Sequence, residues 1–140
     1  MCACAYVSRL SNAADVAGPL GDGEGVFDPS VLRAFTGDDA AFFRELAEEF
    51  ARSARTTHAE LEAVLAADDF VTLALVAHRF KSAAGQVGAL GAQELAASLE
   101  RIGRAGGAGA SRAAGHVASQ LLPMLRALEA GLLAAAEAAG

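Results

Sequence analysis

Three histidines, His58, His78 and His116, are the residues of this chain best suited to nucleophilic or proton-transfer chemistry, and their settings differ. His78 stands in the run Val71–Val87, which has a helical apolar pattern. At about 100° per residue, Leu73, Val76, Ala77, Phe80, Ala84 and Val87 gather on one face, and His78 projects nearly opposite their centre. Its neighbours along the helix ridges are Val71, Ala74, Ser82 and Gly85, with Leu75 and Lys81 on either flank. An imidazole ringed by small side chains, with a cation one turn on, is arranged for approach by another protein. An exposed imidazole, with a reference pKa of about 6.5, is largely neutral and nucleophilic near pH 7. The Lys81 ammonium, three residues away on the same face, lies within reach of any anionic group carried on that ring. Gln86 could add a neutral hydrogen bond at the same face, and Arg79 lies beside the histidine.

The other two histidines lack such a setting. His58 stands beside Thr57 and Glu60 and is expected to be solvated, and His116 falls in an alanine-rich stretch. No two histidines are spaced i, i+4 and there is no HExxH, so no metal site is expected. The segment Gly106–Ser111 (GGAGAS) resembles a phosphate-binding loop only superficially: it lacks the GK[ST] ending and follows a helix, so it reads as a turn. With no nucleotide motif in 140 residues, a kinase domain has no room.

The elements that must carry His78 are helices. Hydrophobic residues make up 54% of the chain with alanine dominant, aromatics are only 6%, and no stretch alternates with period two. Closely packed helices follow, and strands have little support. Asp28-Pro29 supplies an N-cap and a first-turn proline for a short helix stopped by Gly37. Asp38 or Asp39 caps a long helix with the stripe Phe43, Leu46, Phe50, Thr57, Leu61 and Val64 or Leu65. Asp68-Asp69 breaks it and caps the helix of His78, which ends near Gly88. A fourth helix turns Leu95, Leu99 and Ile102 inward. A last one, with Ser111 as its expected cap, carries Val117, Leu121, Met124 or Leu125, Leu128 and Leu132, and Pro123 is expected to kink or break it. The fold expected is all-α: an antiparallel four-helix bundle with a short additional N-terminal helix, over residues 26–138. Residues 1–25, rich in Ala, Gly, Ser and Asp, are expected to form a disordered tail.

The block His78-Arg79-Phe80-Lys81-Ser82, followed by Gly88-Ala89, Leu95 and Leu99-Glu100, resembles the signature of histidine-containing phosphotransfer (HPt) domains. The likeness covers about Val26 to Leu133. It departs at Phe80, where the family usually has Leu, and at Ser82, where many members have Gly. Asp69 matches an aspartate that often opens the same helix. The resemblance implies a four-helix bundle with the short first helix lying across one end. It also implies a phosphorelay carrier that accepts a phosphoryl group on Nε2 of His78 from a response-regulator receiver aspartate and relays it to another. Lys81 would stabilise the phosphoryl group. The partners implied are receiver domains and an upstream (hybrid) histidine kinase. No cofactor of its own is implied, the Mg²⁺ being the receiver's. The surface around His78, namely Val71, Ala74, Leu75, Arg79, Ser82, Gly85 and Gln86, would dock the partner. Sensor-kinase dimerisation helices typically have an acidic residue where Arg79 follows the histidine, so autophosphorylation is not expected and the chain reads as a carrier, not an enzyme. The alternative is a non-catalytic helical-bundle interaction module that docks a partner through the His78 face.

Charge and composition bear on location. A net charge of −6 disfavours a broad nucleic-acid surface, and the apolar runs fall short of a membrane span. Neither a secretory signal nor a disulfide framework is visible, since Cys2 and Cys4 lie one residue apart. A cytoplasmic monomer is expected, and the Met1 start favours a free-standing protein.

Overall fold

The computed structural model describes residues 26–139. The expected tail at residues 1–25, with both cysteines, lies outside them. The regular elements among the described residues are five helices: α1 (Pro29–Thr36), α2 (Ala40–Ala66), α3 (Phe70–Gln86), α4 (Leu90–Ala105) and α5 (Ala110–Ala139). None of them is long and apolar enough to cross a membrane.

Aspartates start the first three. Asp28 Oδ1 accepts from the Ser30 amide at 3.0 Å, Asp39 from Phe42 at 3.0 Å and Asp69 from Thr72 at 3.1 Å. Each satisfies an amide that has no partner within its own helix. Ser111 does not act as the expected cap. The helix begins one residue earlier, and the Ser111 hydroxyl donates to Asp68 Oδ1 at 3.0 Å, tying the start of α5 to the α2–α3 turn. Pro123 does not break α5, which runs through it. The proline lies on the exposed face, where water can replace the backbone hydrogen bond that it removes.

Helices α2 and α5 form one closely packed pair and α3 and α4 the other; α4 on α5 and α2 on α3 close the bundle. The core between them is filled by Leu61, Leu73, Leu99, Leu121, Leu125 and Leu132, all fully buried. Ala47, Ala51 and Ala54 on α2, Ala92 and Ala96 on α4 and Ala114 and Ala118 on α5 are buried as well. Their short side chains let the backbones approach, which accounts for the chain's bias towards alanine. Helix α1 is held at the α3–α4 end: the Asp28 amide donates to the Val87 carbonyl at 3.0 Å. Gly88 sits against it with φ +71, and a Cβ there would lie 2.8 Å from that of Asp28. Backbone conformation and space both demand glycine at this corner.

Candidate functional site

Position on α3 sets the exposure of His78. The apolar arc Leu73, Val76, Ala77, Phe80 and Ala84 is buried as expected, and the His78 side chain on the other side remains 60% exposed. Val71, Leu75 and Ser82 lie along the same ridge, one or two turns apart, and all three are exposed.

The imidazole is nevertheless not free. Its Nδ1 lies 2.9 Å from Oε2 of Glu100, a residue of α4 that is only 7% exposed. The other oxygen, Oε1, accepts from Lys81 Nζ at 2.8 Å. Arg104, one turn on from Glu100, donates to Oε2 through Nε at 3.0 Å and Nη2 at 2.6 Å. A buried carboxylate is costly unless paired and hydrogen-bonded, and here it has two cations and an imidazole. The Lys81 hydrogen bond, with those from His78 and Arg104, outweighs the desolvation that opposes ionisation and holds the Glu100 pKa at about 2. Glu100 is therefore ionised at neutral pH and can only accept. Nδ1 of His78 must then carry the proton in the neutral ring. Nε2 is left with its lone pair, on the far side of the ring from the Glu100 contact.

Several sequence expectations change at this point. Lys81 is half-buried and engaged by Glu100, not a free surface cation, because α4 brings a carboxylate to it that its own helix does not show. Ala74 is buried: it faces Gly103 of α4, where a Cβ on the glycine would lie 3.1 Å from its own. Gly85 also turns to α4, beneath Gln93, whose Nε2 donates to the Lys81 carbonyl at 3.3 Å. Ala74 thus serves the approach of α4, and Gly85, half-buried, has the Gln93 side chain over it. Arg79 is exposed and paired with Glu60 of α2, and Gln86 is exposed at the end of α3. His58 is not solvated as expected. Its side chain is 12% exposed, its Nδ1 lies 3.4 Å from Glu62, and it lines a cleft with Leu125, Arg126 and Glu129 between α2 and α5. His116 is exposed beside Gln120 on α5.

Glu100 and Arg104 are site residues that reasoning from the histidine helix missed. The signal was available on α4: Ala92, Ala96, Leu99 and Gly103 trace an inward stripe, and Glu100 interrupts it with a charge. Among the described residues, no group of three or more His, Cys, Asp or Glu side chains could hold a metal ion.

The arrangement is an exposed imidazole with one nitrogen anchored by a buried anion and the other open, next to cations. It suits nucleophilic attack on an electrophile delivered from outside. Among protein families, the family described as Hpt domain matches residues 45–135. Searches of curated proteins and of solved structures return no significant match.

Proposed function

This chain belongs to the Hpt domain family, and on that premise we propose that His78 is the phosphoacceptor, taking its phosphoryl group from an aspartyl phosphate of a receiver domain. Membership gives the chain a histidine phosphotransfer role in a phosphorelay. The observation that supports His78 in particular is its hydrogen bond from Nδ1 to Glu100, which leaves Nε2 as the nucleophile.

In the forward step the Nε2 lone pair forms the N–P bond as the acyl O–P bond of the donor breaks. The donor carboxylate leaves with that bond's electron pair. The ring becomes cationic while Nδ1 keeps its proton, and Glu100, already hydrogen-bonded to that proton, stabilises the charge. Such transfer depends on in-line positioning and on charge stabilisation more than on acid–base chemistry. Lys81 lies one turn along α3 and contributes positive potential near the phosphoryl oxygens while it remains bound to Glu100. Mg²⁺ would be contributed by the receiver. The reverse step, onto a second receiver aspartate, uses the same geometry. The exposed ridge Val71, Leu75 and Ser82 is the docking face of this reading, with Arg79 and Gln86 at its margins.

Incubation of the whole chain with a phosphorylated receiver tests the assignment. Acid-labile label should appear on the wild type and vanish in His78→Gln, while His58→Gln and His116→Gln retain it. Label persisting in His78→Gln would refute the reading.

A further inference from the structure

We propose that Arg104 is a positioning residue for His78: it clamps the carboxylate oxygen that the imidazole also uses, and so fixes which ring nitrogen faces outward. The inference rests on the reading of His78 as phosphoacceptor, and its consequence for the imidazole can be measured without phosphotransfer.

The geometry around Glu100 is uneven. Oε1 has one partner, Lys81, which reaches across from α3. Oε2 has two, His78 from α3 and Arg104 from its own helix. A glutamate held only by a lysine and an imidazole could swing towards the lysine and leave Nδ1 without an acceptor, because a lysine ammonium imposes little direction. The guanidinium is planar and rigid, and it directs two of its N–H groups at Oε2, so it holds that oxygen in place with a direction that a point charge lacks. Held there, Oε2 also stands 2.9 Å from Nδ1. The neutral ring is then held as the Nδ1–H tautomer with Nε2 free. Arg104 lies in the last turn of α4, four residues after Glu100, so the clamp belongs to one helix and does not depend on how α3 moves.

Arg104 is itself 63% exposed, so it can be replaced without opening the core. A role as a direct phosphoryl ligand would need the guanidinium to leave Glu100, and its two hydrogen bonds there oppose that. The two roles differ in the unphosphorylated protein, where only the clamp acts on the imidazole.

Nitrogen-15 NMR of the His78 ring should be recorded on the whole chain as wild type, Arg104→Gln and Arg104→Lys, at a pH about two units above the ordinary imidazole value. Labelling by a small phosphodonor, phosphoramidate, is measured in parallel. The wild type should show the Nδ1–H tautomer. Arg104→Gln should shift the ring towards Nε2–H and slow labelling about fivefold with the helical circular dichroism unchanged, and Arg104→Lys should restore part of both. An unchanged tautomer in Arg104→Gln overturns the proposal, whether or not labelling slows. If wild-type His78 takes no label at all, the phosphoacceptor reading fails, and the tautomer comparison alone decides the role of Arg104.

Discussion

Gly103 links the packing of the bundle to the chemistry at His78, and changing it to alanine should show both. It lies three residues after Glu100 on α4, against the first turn of α3. A Cβ added there would stand 2.8 Å from the Phe70 carbonyl oxygen, 3.0 Å from the Ala74 amide nitrogen and 3.1 Å from the Ala74 Cβ. Two of these atoms are backbone, so no flexible side chain can move aside and the helices must separate. Overpacking of this kind costs about 1–3 kcal/mol. Alanine in a helix interior returns about 1 kcal/mol relative to glycine. The net expectation is a loss of about 1 kcal/mol, or roughly 4 °C in Tm for a domain of this size. Gly115 on α5 is the control: it is exposed, and a Cβ there meets nothing within 4 Å. Gly115→Ala should therefore raise Tm while Gly103→Ala lowers it, the same substitution with opposite sign. Thermal unfolding followed by circular dichroism reads both. Labelling of His78 should slow in Gly103→Ala only, since Glu100 is carried away with α4. If Gly103→Ala proves as stabilising as Gly115→Ala, the close approach of α3 and α4 is wrong, and so is the argument that it places the carboxylate.

Lys81→Ala should slow phosphotransfer about tenfold and also lower Tm measurably, because it strips a cation from the buried Glu100; an unchanged Tm would mean that the ion pair does not hold in solution. Leu75→Asp and Ser82→Tyr should weaken transfer from a receiver yet leave labelling by phosphoramidate near the wild-type rate, and equal loss with both donors would remove the docking argument. The depressed pKa of Glu100, about 2 against an ordinary 4.5, fixes a pH dependence. The carboxylate's contribution to stability is complete above about pH 4.5 and fades as the pH falls towards about 2. Urea midpoints should drop over that interval in the wild type and drop less in Glu100→Gln, and parallel curves would contradict it.

Much of the fold was legible because helices announce themselves locally. Asp28, Asp39 and Asp69 cap where their sequence positions indicate, and the stripes through Leu61, Leu73, Leu99, Leu121 and Leu132 are buried as their spacing requires. The exposure of His78 was legible for the same reason, being a property of one helix measured against its own apolar face. What the helix alone did not show at Ala74, Gly85 and Lys81 has one cause. A helical projection has a single centre, but α3 packs against two neighbours and most closely against α4, so the side that escapes burial is narrower than the arc opposite the apolar stripe. Small residues next to a reactive group suggested access for a partner. At Ala74 a small residue instead gives access to α4, and at Gly85 the Gln93 side chain lies over it.

That difference changes what counts as the site. Read along α3 alone, Lys81 is the cation that awaits a phosphoryl group. With α4 in place, Lys81 and Arg104 both serve Glu100 first, and the carboxylate in turn orients His78. In the proposed transfer, the positive charge offered to an incoming phosphoryl group is what remains after one anion is balanced by two cations, and it is held in fixed positions on two helices. A preorganised arrangement of this kind needs little rearrangement when charge develops on the imidazole, which is where fixed dipoles and ions are most effective. The family signature contained the clue in its Leu99-Glu100 pair, where the leucine fills the core and the glutamate beside it, also buried, reaches the imidazole.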